Sequence, residues 1–385
     1  MIYLDNNATT ACDPRVVEIM LPFFKENYGN PSSLHAAGQQ ARTAVEEARR
    51  QVALLVGSRP EEILFTSGGT ESNNLALKGI AQALRGKGNH ILTSSIEHFA
   101  VLNVCRALEK EGYAVTYLPV DEDGLVNPAV FEEALRKDTI LTSIMLANNE
   151  TGVIEPVAEL AAIAHEHGVL FHTDAVQAIG KIPIDVVRMN IDLLTGSAHK
   201  FHGPKGCGFL YKKKRVKLQP LLQGGHHEKG FRAGTENVPA IVGCGLAAQL
   251  ASLEMEANHE QVGKLRDRLE TGLRKSIPAI HIASSSASRL PNTSLVLVKY
   301  VEGEAMLLNL DFDGICVSSG SACTSGSLEP SHVLLACGYP HQDAHGSIRF
   351  SLSKFNREDE IDQVLDRFPK IVNTLRDMSP FKLAT

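Results

Sequence analysis

The chain has 385 residues, of which 43% are hydrophobic and 21% charged, and its formal net charge is −6 at pH 7. This balance is typical of a soluble globular protein, and the negative net charge argues against a nucleic-acid partner. Because the length exceeds that of one ordinary core, we predict a large domain over residues 15–254 and a smaller domain formed by residues 1–14 and 255–385.

No targeting or membrane segment is predicted from the sequence. The first residues, MIYLDNNATT, lack the basic stretch and following apolar stretch of a signal peptide. No apolar run approaches the roughly 20 residues that cross a bilayer. We therefore expect a cytoplasmic protein with no membrane partner. The dense basic run at residues 212–215 is predicted to be a solvated turn.

The predicted elements alternate between helix and strand up to about residue 215. Small and apolar side chains recur at helical spacing over residues 41–56, and Gly57 can end that helix. Short apolar strands then precede polar turns or helices in the segments EILFTSGGTESNNLALKGIAQAL, NHILTSSIEH, YAVTYLPV, TILTSIMLANNE, VLFHTDAVQ and IDLLTGSAHK. This alternation predicts an α/β domain with a mostly parallel sheet.

The last third of the chain has a different pattern. Residues 255–276 are predicted to form a long charged helix, and residues 357–376 an amphipathic one. Between them, the segments NTSLVLVKYV and HGSIRFSLSKF are typical of strands. We expect a smaller α/β domain here, joined by the N-terminal arm.

Polar and ionisable side chains follow five of the predicted strands. Ligands of open α/β sheets bind beyond the carboxyl ends of the strands, so these side chains are candidates for one common site. In chain order they are Ser67 to Thr70, Glu97 and His98, Asn148 to Glu150, Asp174 and Gln177, and Ser197, His199 and Lys200.

The segment SGGT, residues 67–70, comes directly before a predicted helix. Its backbone N–H groups and the positive end of the helix dipole can bind a phosphate, and Ser197 and His199 can add donors. Asp174 ends an apolar strand and, if buried, needs a cation such as a protonated pyridine nitrogen, or several donors. Capping of the segment AVQAIG is the alternative for Asp174.

Lys200 follows small residues at the end of an apolar strand. Partial burial near other positive groups lowers the pKa of such a lysine, which can then form a Schiff base with a carbonyl cofactor. An aldehyde, a phosphate and a pyridine nitrogen together describe pyridoxal 5'-phosphate (PLP). His98 can lie on the cofactor ring. The ordinary alternatives are a surface lysine and a structural histidine.

The segment SSGSACTSGSLEP, residues 318–330, places Cys323 among small polar residues without apolar periodicity. We predict an exposed loop and a reactive thiol, because such a cysteine gains nothing from packing. The other six cysteines have contexts that favour packing. The odd number and the absence of a C-x-x-C pair argue against a disulfide framework and a structural zinc site.

The motifs in order resemble the cysteine desulfurases of the NifS and IscS type, over residues 2 to about 376. They are YLDNNATT, YGNPSSLH, TSGGTESNN, EH, ANNETG, HTDAVQAIGK, SAHKFHGPKG, RAGTENVPAIVG, LPNTS, EGEAMLL, SSGSACTSGSLEPSHV and SIRFSLS. The resemblance implies a fold type I PLP enzyme with a seven-stranded sheet, acting as a homodimer. It also implies conversion of L-cysteine to L-alanine with the sulfur held as a Cys323 persulfide.

The resemblance also implies roles for single residues. Lys200 would bind PLP covalently and transfer protons, His98 would stack on the ring and assist, and Cys323 would be the nucleophile. The cofactor-binding residues would be Gly69, Thr70, Ser197 and His199 at the phosphate, Asp174 at the pyridine nitrogen, Gln177 at the ring hydroxyl, Asn149, and Thr235 at the phosphate of the other subunit. The substrate would be bound by Arg349 through its carboxylate, with Asn30 and Asn149 nearby.

The resemblance implies that the sulfur acceptor is an iron–sulfur scaffold protein or another carrier. The residues in the motifs are more similar to those of the nitrogen-fixation branch of the family. Cys323 could also ligate a transferred cluster transiently.

The nearest alternative to a cysteine desulfurase is an aminotransferase or selenocysteine lyase of the same fold. A nicotinamide enzyme would need G-x-G-x-x-G, which TSGGTES does not match. A metal-binding scaffold would have to use the His199 and His202 or the His226 and His227 pairs.

Overall fold

The computed structural model describes residues 1–319 and 329–378. The helices of this part are α1 Pro14–Met20, α2 Pro22–Lys25, α3 Ala36–Val56, α4 Gly69–Ala83, α5 Phe99–Lys110, α6 Pro128–Glu133, α7 Val157–Glu166, α8 Val238–Ser276, α9 Gly303–Phe312, α10 His332–Ala336, α11 His341–His345 and α12 Glu358–Met378. The strands are β1 Ile2–Tyr3, β2 Ile63–Thr66, β3 His90–Ser94, β4 Ala114–Leu118, β5 Thr139–Ser143, β6 Leu170–Asp174, β7 Leu193–Ser197, β8 Gly208–Lys212, β9 Ile280–Ile282, β10 Thr293–Val298, β11 Ile315–Cys316, β12 Ser318–Ser319 and β13 Ser347–Ser351.

The large sheet has seven strands in the order β2-β8-β7-β6-β5-β3-β4. All neighbours pair in parallel except β8, which is antiparallel to both β2 and β7. The strands β2 to β7 therefore point the same way, and their carboxyl ends lie along one edge. This arrangement confirms the predicted α/β fold with a mostly parallel sheet.

Helix α3 illustrates how the local sequence defines an element of this domain. Its N-terminus is capped by the His35 side chain, which accepts a hydrogen bond from the Gly38 N–H. The residue that caps its C-terminus is Gly57, whose φ of +70° is the left-handed conformation that glycine adopts without steric cost. Val45, Ala48 and Val52 on one face of α3 are buried in the main core, so the amphipathic pattern determines how the helix packs.

A second core lies under the sheet β12-β13-β10-β9, with α9, α12 and the end of α8. The N-terminal strand β1 pairs in parallel with β11, and Leu4 is buried in this second core. Helix α8 continues through residue 254. Met255 packs on the main core, whereas Val262 belongs to the second. The division into residues 15–254 and 1–14 plus 255–385 remains a prediction.

Helix α8 differs from the expectation that no apolar run is long enough to cross a membrane. Among the described residues, this one helix contains a stretch long and apolar enough to do so, but 56% of that stretch is buried inside the protein.

The basic run at residues 212–215 was expected to be a solvated turn, and this was wrong for Lys212. Lys212 ends β8 and is buried; its Nζ donates to the Val216 carbonyl at 3.1 Å and lies 4.8 Å from the centre of the Phe231 ring.

Candidate active site

A cavity of about 310 Å³ lies at the carboxyl ends of the central strands. It is lined by residues from all five predicted strand exits. Its lining consists of Asn7, Ala8, Gly69, Thr70, Asn73, His98, Ala100, Met145, Asn149, Asp174, Val176, Gln177, Ser197, His199, Lys200 and Arg349. We call this the Lys200 cavity.

The N-terminus of α4 forms one end of the Lys200 cavity. The helix starts at Gly69, so the backbone N–H groups of its first turn have no partners within the helix and are available to an anion. Thr70 from the same turn and Ser197 and His199 from the end of β7 line the cavity beside it. This is the predicted phosphate cradle, assembled from two loops that are about 130 residues apart in the chain.

The loop before α4 depends on Gly208, which starts β8. A Cβ atom at this position would lie 2.6 Å from Gly68 Cα and 2.7 Å from the Gly196 carbonyl oxygen. Both neighbours are backbone atoms, so they cannot give way by changing a rotamer. The close approach of β8 therefore sets the position of the cradle.

We expect Gly208→Ala to weaken PLP binding by about tenfold, because the added methyl group must displace the loop at Gly68, and overpacking of this kind costs about 1–3 kcal/mol. The measurement is an absorbance titration of the cofactor-free protein with PLP. Gly86→Ala is the matched control, since a Cβ there meets nothing within 4 Å. Equal PLP affinity of Gly208→Ala and the wild type would contradict this account of the loop.

Asp174 lies at the end of β6 and is buried. The Asn73 side-chain amide donates to Asp174 Oδ2 at 2.6 Å, and the Val176 N–H donates to Oδ1 at 3.0 Å. Among residues 1–319 and 329–378, no cation forms a salt bridge with it. Asp174 therefore caps the turn that follows it, which is the alternative given in the sequence analysis. Its carboxylate, held by these two hydrogen bonds, also lines the cavity.

Lys200 ends a short 3-10 helix, Ala198–Lys200, that follows β7 directly. Its Nζ donates to the carbonyl oxygens of Asn7 at 2.5 Å and Ala8 at 2.8 Å. These carbonyls belong to the N-terminal arm, so the arm holds the amine at the cavity wall. Charge-assisted contacts of this kind orient the amine.

The two histidines of the cavity are held neutral. Burial lowers the pKa of His98, an effect that Asp174 opposes and Lys200 reinforces. The Ala100 N–H donates to His98 Nδ1 at 3.1 Å, so the ring proton of neutral His98 is on Nε2. Burial, with Lys200 nearby, lowers the pKa of His199 to about 4, and His199 Nδ1 lies 3.1 Å from Thr9 Oγ1.

Arg349 reaches the cavity from β13, in the second sheet. Its guanidinium is buried and donates from Nη1 to the Asn149 carbonyl and from Nη2 to Asp5 Oδ1, both at 2.9 Å. Its Nε has no hydrogen-bond partner among the described residues. A buried donor without a partner has an unpaid desolvation cost, which an anionic ligand in the cavity would relieve.

Asn7 is a central residue that the sequence analysis missed. Its side-chain amide donates to the Asn149 carbonyl at 3.0 Å and to Thr293 Oγ1 at 2.9 Å, while its own carbonyl accepts from Lys200. It thus connects the N-terminal arm to both sheets. The motif YLDNNATT contained Asn7 without indicating its role, because each partner is more than 140 residues away. Asn73, which holds Asp174, was also missed, because the two residues are 101 positions apart in the chain.

Two predicted site residues, Asn30 and Thr235, do not line the Lys200 cavity, and a third lies outside the described residues. Asn30 is exposed, and its side chain accepts from the Ser32 N–H at 2.9 Å. Thr235 lines a separate cavity with Arg232 and Glu236. Cys323 lies outside the described residues. The predicted roles of these three residues therefore remain predictions.

The cavity fits PLP. The N-terminus of α4 suits its phosphate, the Lys200 amine suits its aldehyde, and Asp174, a buried carboxylate without a described ion-pair partner, suits a protonated pyridine nitrogen. The α/β fold and this set of groups define the class: a PLP-dependent enzyme of fold type I. No group of three or more potential metal ligands was found among the residues that the structure describes.

Comparison with known proteins narrows the class. The chain belongs to the class-V aminotransferase family, whose sequence model matches residues 2–364. It is 55% identical to the cysteine desulfurase IscS of Methanosarcina thermophila, over 98% of this chain and 94% of that one. It is 53% identical to cysteine desulfurase 2 of Trichormus variabilis, over 99% and 95%.

Solved structures show the same fold. A NifS-like protein superposes with a TM-score of 0.92 at 41% identity, covering 97% of this chain and all of that one. SspA in complex with cysteine superposes with a TM-score of 0.82 at 36% identity, covering 93% of this chain and all of that one. The resemblance seen in the sequence motifs is confirmed at the level of family and fold.

Proposed function

We propose that the protein is a PLP-dependent cysteine desulfurase that converts L-cysteine to L-alanine and carries the sulfur as a persulfide on Cys323. The observation that carries the proposal is the Lys200 cavity, where an amine, a buried carboxylate and a helix N-terminus surround one space. The names of the relatives, cysteine desulfurases among them, support the substrate.

The reaction transfers one sulfur atom. The C–S bond of L-cysteine breaks, an S–S bond to Cys323 forms, and a proton is delivered to the substrate Cβ, so that cysteine and a thiol give alanine and a persulfide. When bound, PLP supplies an electron sink that stabilises negative charge at the substrate Cα. Lys200 Nζ, which would hold the cofactor, is the group that could take a proton from this carbon and return it.

The remaining residues orient the reactants. His98 is neutral and carries its proton on Nε2, so it can donate there without adding a positive charge beside Lys200. Arg349, with its Nε unpaired among the described residues, provides a donor for the substrate carboxylate. Asp174, held by Asn73 and the Val176 N–H, keeps a negative charge in place for the pyridine nitrogen.

The active form that we propose is a homodimer. Thr235 lines a cavity separate from the Lys200 cavity of its own chain, so its predicted contact with the phosphate of the other subunit needs a second copy. The N-terminal segment supports this, because it exposes the large apolar side chains of Leu21, Phe24 and Tyr28, and such patches mark interaction surfaces. Light scattering on the purified protein would give the mass.

The sulfur acceptor that we propose is an iron–sulfur scaffold protein, with nitrogenase assembly as one route, and the location that we propose is the cytoplasm. Transient binding of a transferred cluster by Cys323 belongs to the same proposal. The IscS names among the relatives support cluster assembly as the general role.

The function is tested by peptide mass spectrometry after brief exposure of the PLP-loaded protein to L-cysteine without reductant. We expect one added sulfur on the peptide that contains Cys323 and alanine in equal amount, because a sulfur leaves each substrate. Cys12 and Cys316 are partly exposed thiols and serve as internal controls. If PLP is bound but Cys323 remains unmodified, the protein is a relative of different chemistry, such as a selenocysteine lyase or an aminotransferase.

A further inference from the structure

Lys181 lies just outside the Lys200 cavity and contacts one of its lining residues. Its Nζ donates to Gln177 Oε1 at 3.1 Å. The Gln177 side-chain amide in turn donates from Nε2 to the Asn7 carbonyl at 2.9 Å. Because that carbonyl also accepts from Lys200 Nζ, the contacts form a chain from Lys181 through Gln177 and Asn7 to Lys200.

This chain fixes the direction of the Gln177 amide. The two ends of a carboxamide are nearly equal in shape, so only their hydrogen-bond partners distinguish them. A lysine amine is a donor here and the Asn7 carbonyl can only accept, so each partner requires the same orientation. Gln177 is buried, with 5% of its surface exposed, and water cannot easily replace either contact. Loss of the Lys181 contact would leave Oε1 unpaired in a buried position, and the Asn7 carbonyl would be the one described hydrogen-bond partner left to hold the Gln177 amide.

Lys181 also contributes charge. It faces a second cavity that Lys200 lines too, together with Asp13, His202, His259 and Lys354. Asp13 is paired with Arg15 and Lys354, so it does not neutralise Lys181. Burial, followed by repulsion from Lys200 and Arg349, lowers the pKa of Lys181 to about 7. The same repulsion acts on Lys200, because the interaction between two charges is mutual.

We propose that Lys181 is a positioning residue for the cofactor: it holds Gln177, which lines the Lys200 cavity, with its amide N–H group directed to the Asn7 carbonyl, and its charge disfavours a proton on the Lys200 nitrogen. The inference rests on the proposed function, since it takes PLP as the ligand of the Lys200 cavity. It assigns a role to a residue that does not itself line that cavity.

The test compares Lys181→Met, Lys181→Arg, Gln177→Ala and the double variant Lys181→Met with Gln177→Ala. Methionine keeps an unbranched apolar stem, and the second cavity is also lined by the apolar residues Leu250, Ala251 and Met255, so the fold should tolerate it. Two readouts are used: the dissociation constant for PLP, from absorbance titration of the cofactor-free protein, and the pH midpoint of the absorbance change of the bound cofactor. Thermal unfolding of each cofactor-free variant reports the fold separately.

We expect Lys181→Met to weaken PLP binding by about tenfold, because a charge-assisted hydrogen bond to Gln177 is lost. We also expect the pH midpoint of the absorbance change of the bound cofactor to move upward. Lys181→Arg, which keeps a donor and a positive charge, should stay close to the wild type in PLP affinity and should not move the midpoint upward. If Lys181 acts through Gln177, the double variant should bind PLP no more weakly than Gln177→Ala.

Wild-type affinity and an unmoved midpoint in Lys181→Met would overturn the inference. Additive losses in the double variant, together with a lower unfolding temperature of the cofactor-free protein, would overturn it in favour of a purely structural role. If the wild type binds no PLP, the proposed function itself fails, which is a different result from wild-type binding with an unaffected Lys181→Met.

Discussion

Replacement of Lys200 by alanine is expected to lower the rate of alanine formation from L-cysteine by at least about 10³-fold. A positioned general acid–base group contributes about 10² to 10⁴ in rate, and the same amine also holds the cofactor. The structure gives the reason that no neighbour can substitute. The Asn7 and Ala8 carbonyls hold the Lys200 amine at the cavity wall, whereas Lys181 is engaged with Gln177.

Two variants separate this effect from a general loss of folding or charge. Lys205→Ala changes an exposed lysine in the same glycine-rich segment and should retain activity. Lys200→Arg retains the positive charge and should be as inactive as Lys200→Ala, because a guanidinium does not give up its proton. The measurements are single-turnover alanine formation and the visible absorbance of bound PLP. Substantial activity in Lys200→Ala with intact absorbance would refute the assignment.

Arg349→Gln is expected to reduce kcat/KM for L-cysteine by about 10² to 10³-fold, since truncation of a buried hydrogen-bonded charge costs about 2–5 kcal/mol. PLP affinity should change little, because the residues that fit the cofactor belong to the large sheet and its loops. Arg349→Lys keeps the charge but loses the planar fork that matches a carboxylate, so an intermediate loss is expected. The measurement is steady-state kinetics beside a PLP titration.

The control for Arg349 is Asp5→Asn. Arg349 also pairs with Asp5 at 2.9 Å, so a defect that came only from this structural contact should appear equally in Asp5→Asn. We expect Asp5→Asn to retain most of the activity. An unchanged KM for L-cysteine in Arg349→Gln, with only a lower unfolding temperature, would show that Arg349 supports the fold and does not bind the substrate.

The residues at the strand ends show how much of the candidate site the local sequence pattern predicted. Thr70, His98, Asn149, Asp174 and Lys200 all line the cavity, because parallel strands bring their carboxyl ends to one edge whatever their order. Glu97 followed the same rule in the sequence but is buried behind the cavity, where it accepts from Ser94 Oγ and the Met145 N–H at 2.8 Å. Adjacent residues point in different directions, and a strand-end pattern does not specify which one enters the site.

Arg349 shows what the resemblance added. Nothing in the pattern of SIRFSLS distinguishes a ligand-binding arginine from a structural one, and only the family motif indicated it. The structure then placed it against Asn149, which is 200 residues away in the chain. The position depends on how the two sheets pack, which no local rule describes.

The sequence by itself determined the alternation of strands and helices, the glycine turn before α4, and the lysine and carboxylate at strand ends, because backbone propensity and hydrophobic period act over a few residues. Only the tertiary structure decided that β8 runs antiparallel between β2 and β7, that Asn7 connects Lys200 to both sheets, and that Lys181 holds Gln177. These depend on contacts between segments far apart in the chain, where burial and packing select the partner.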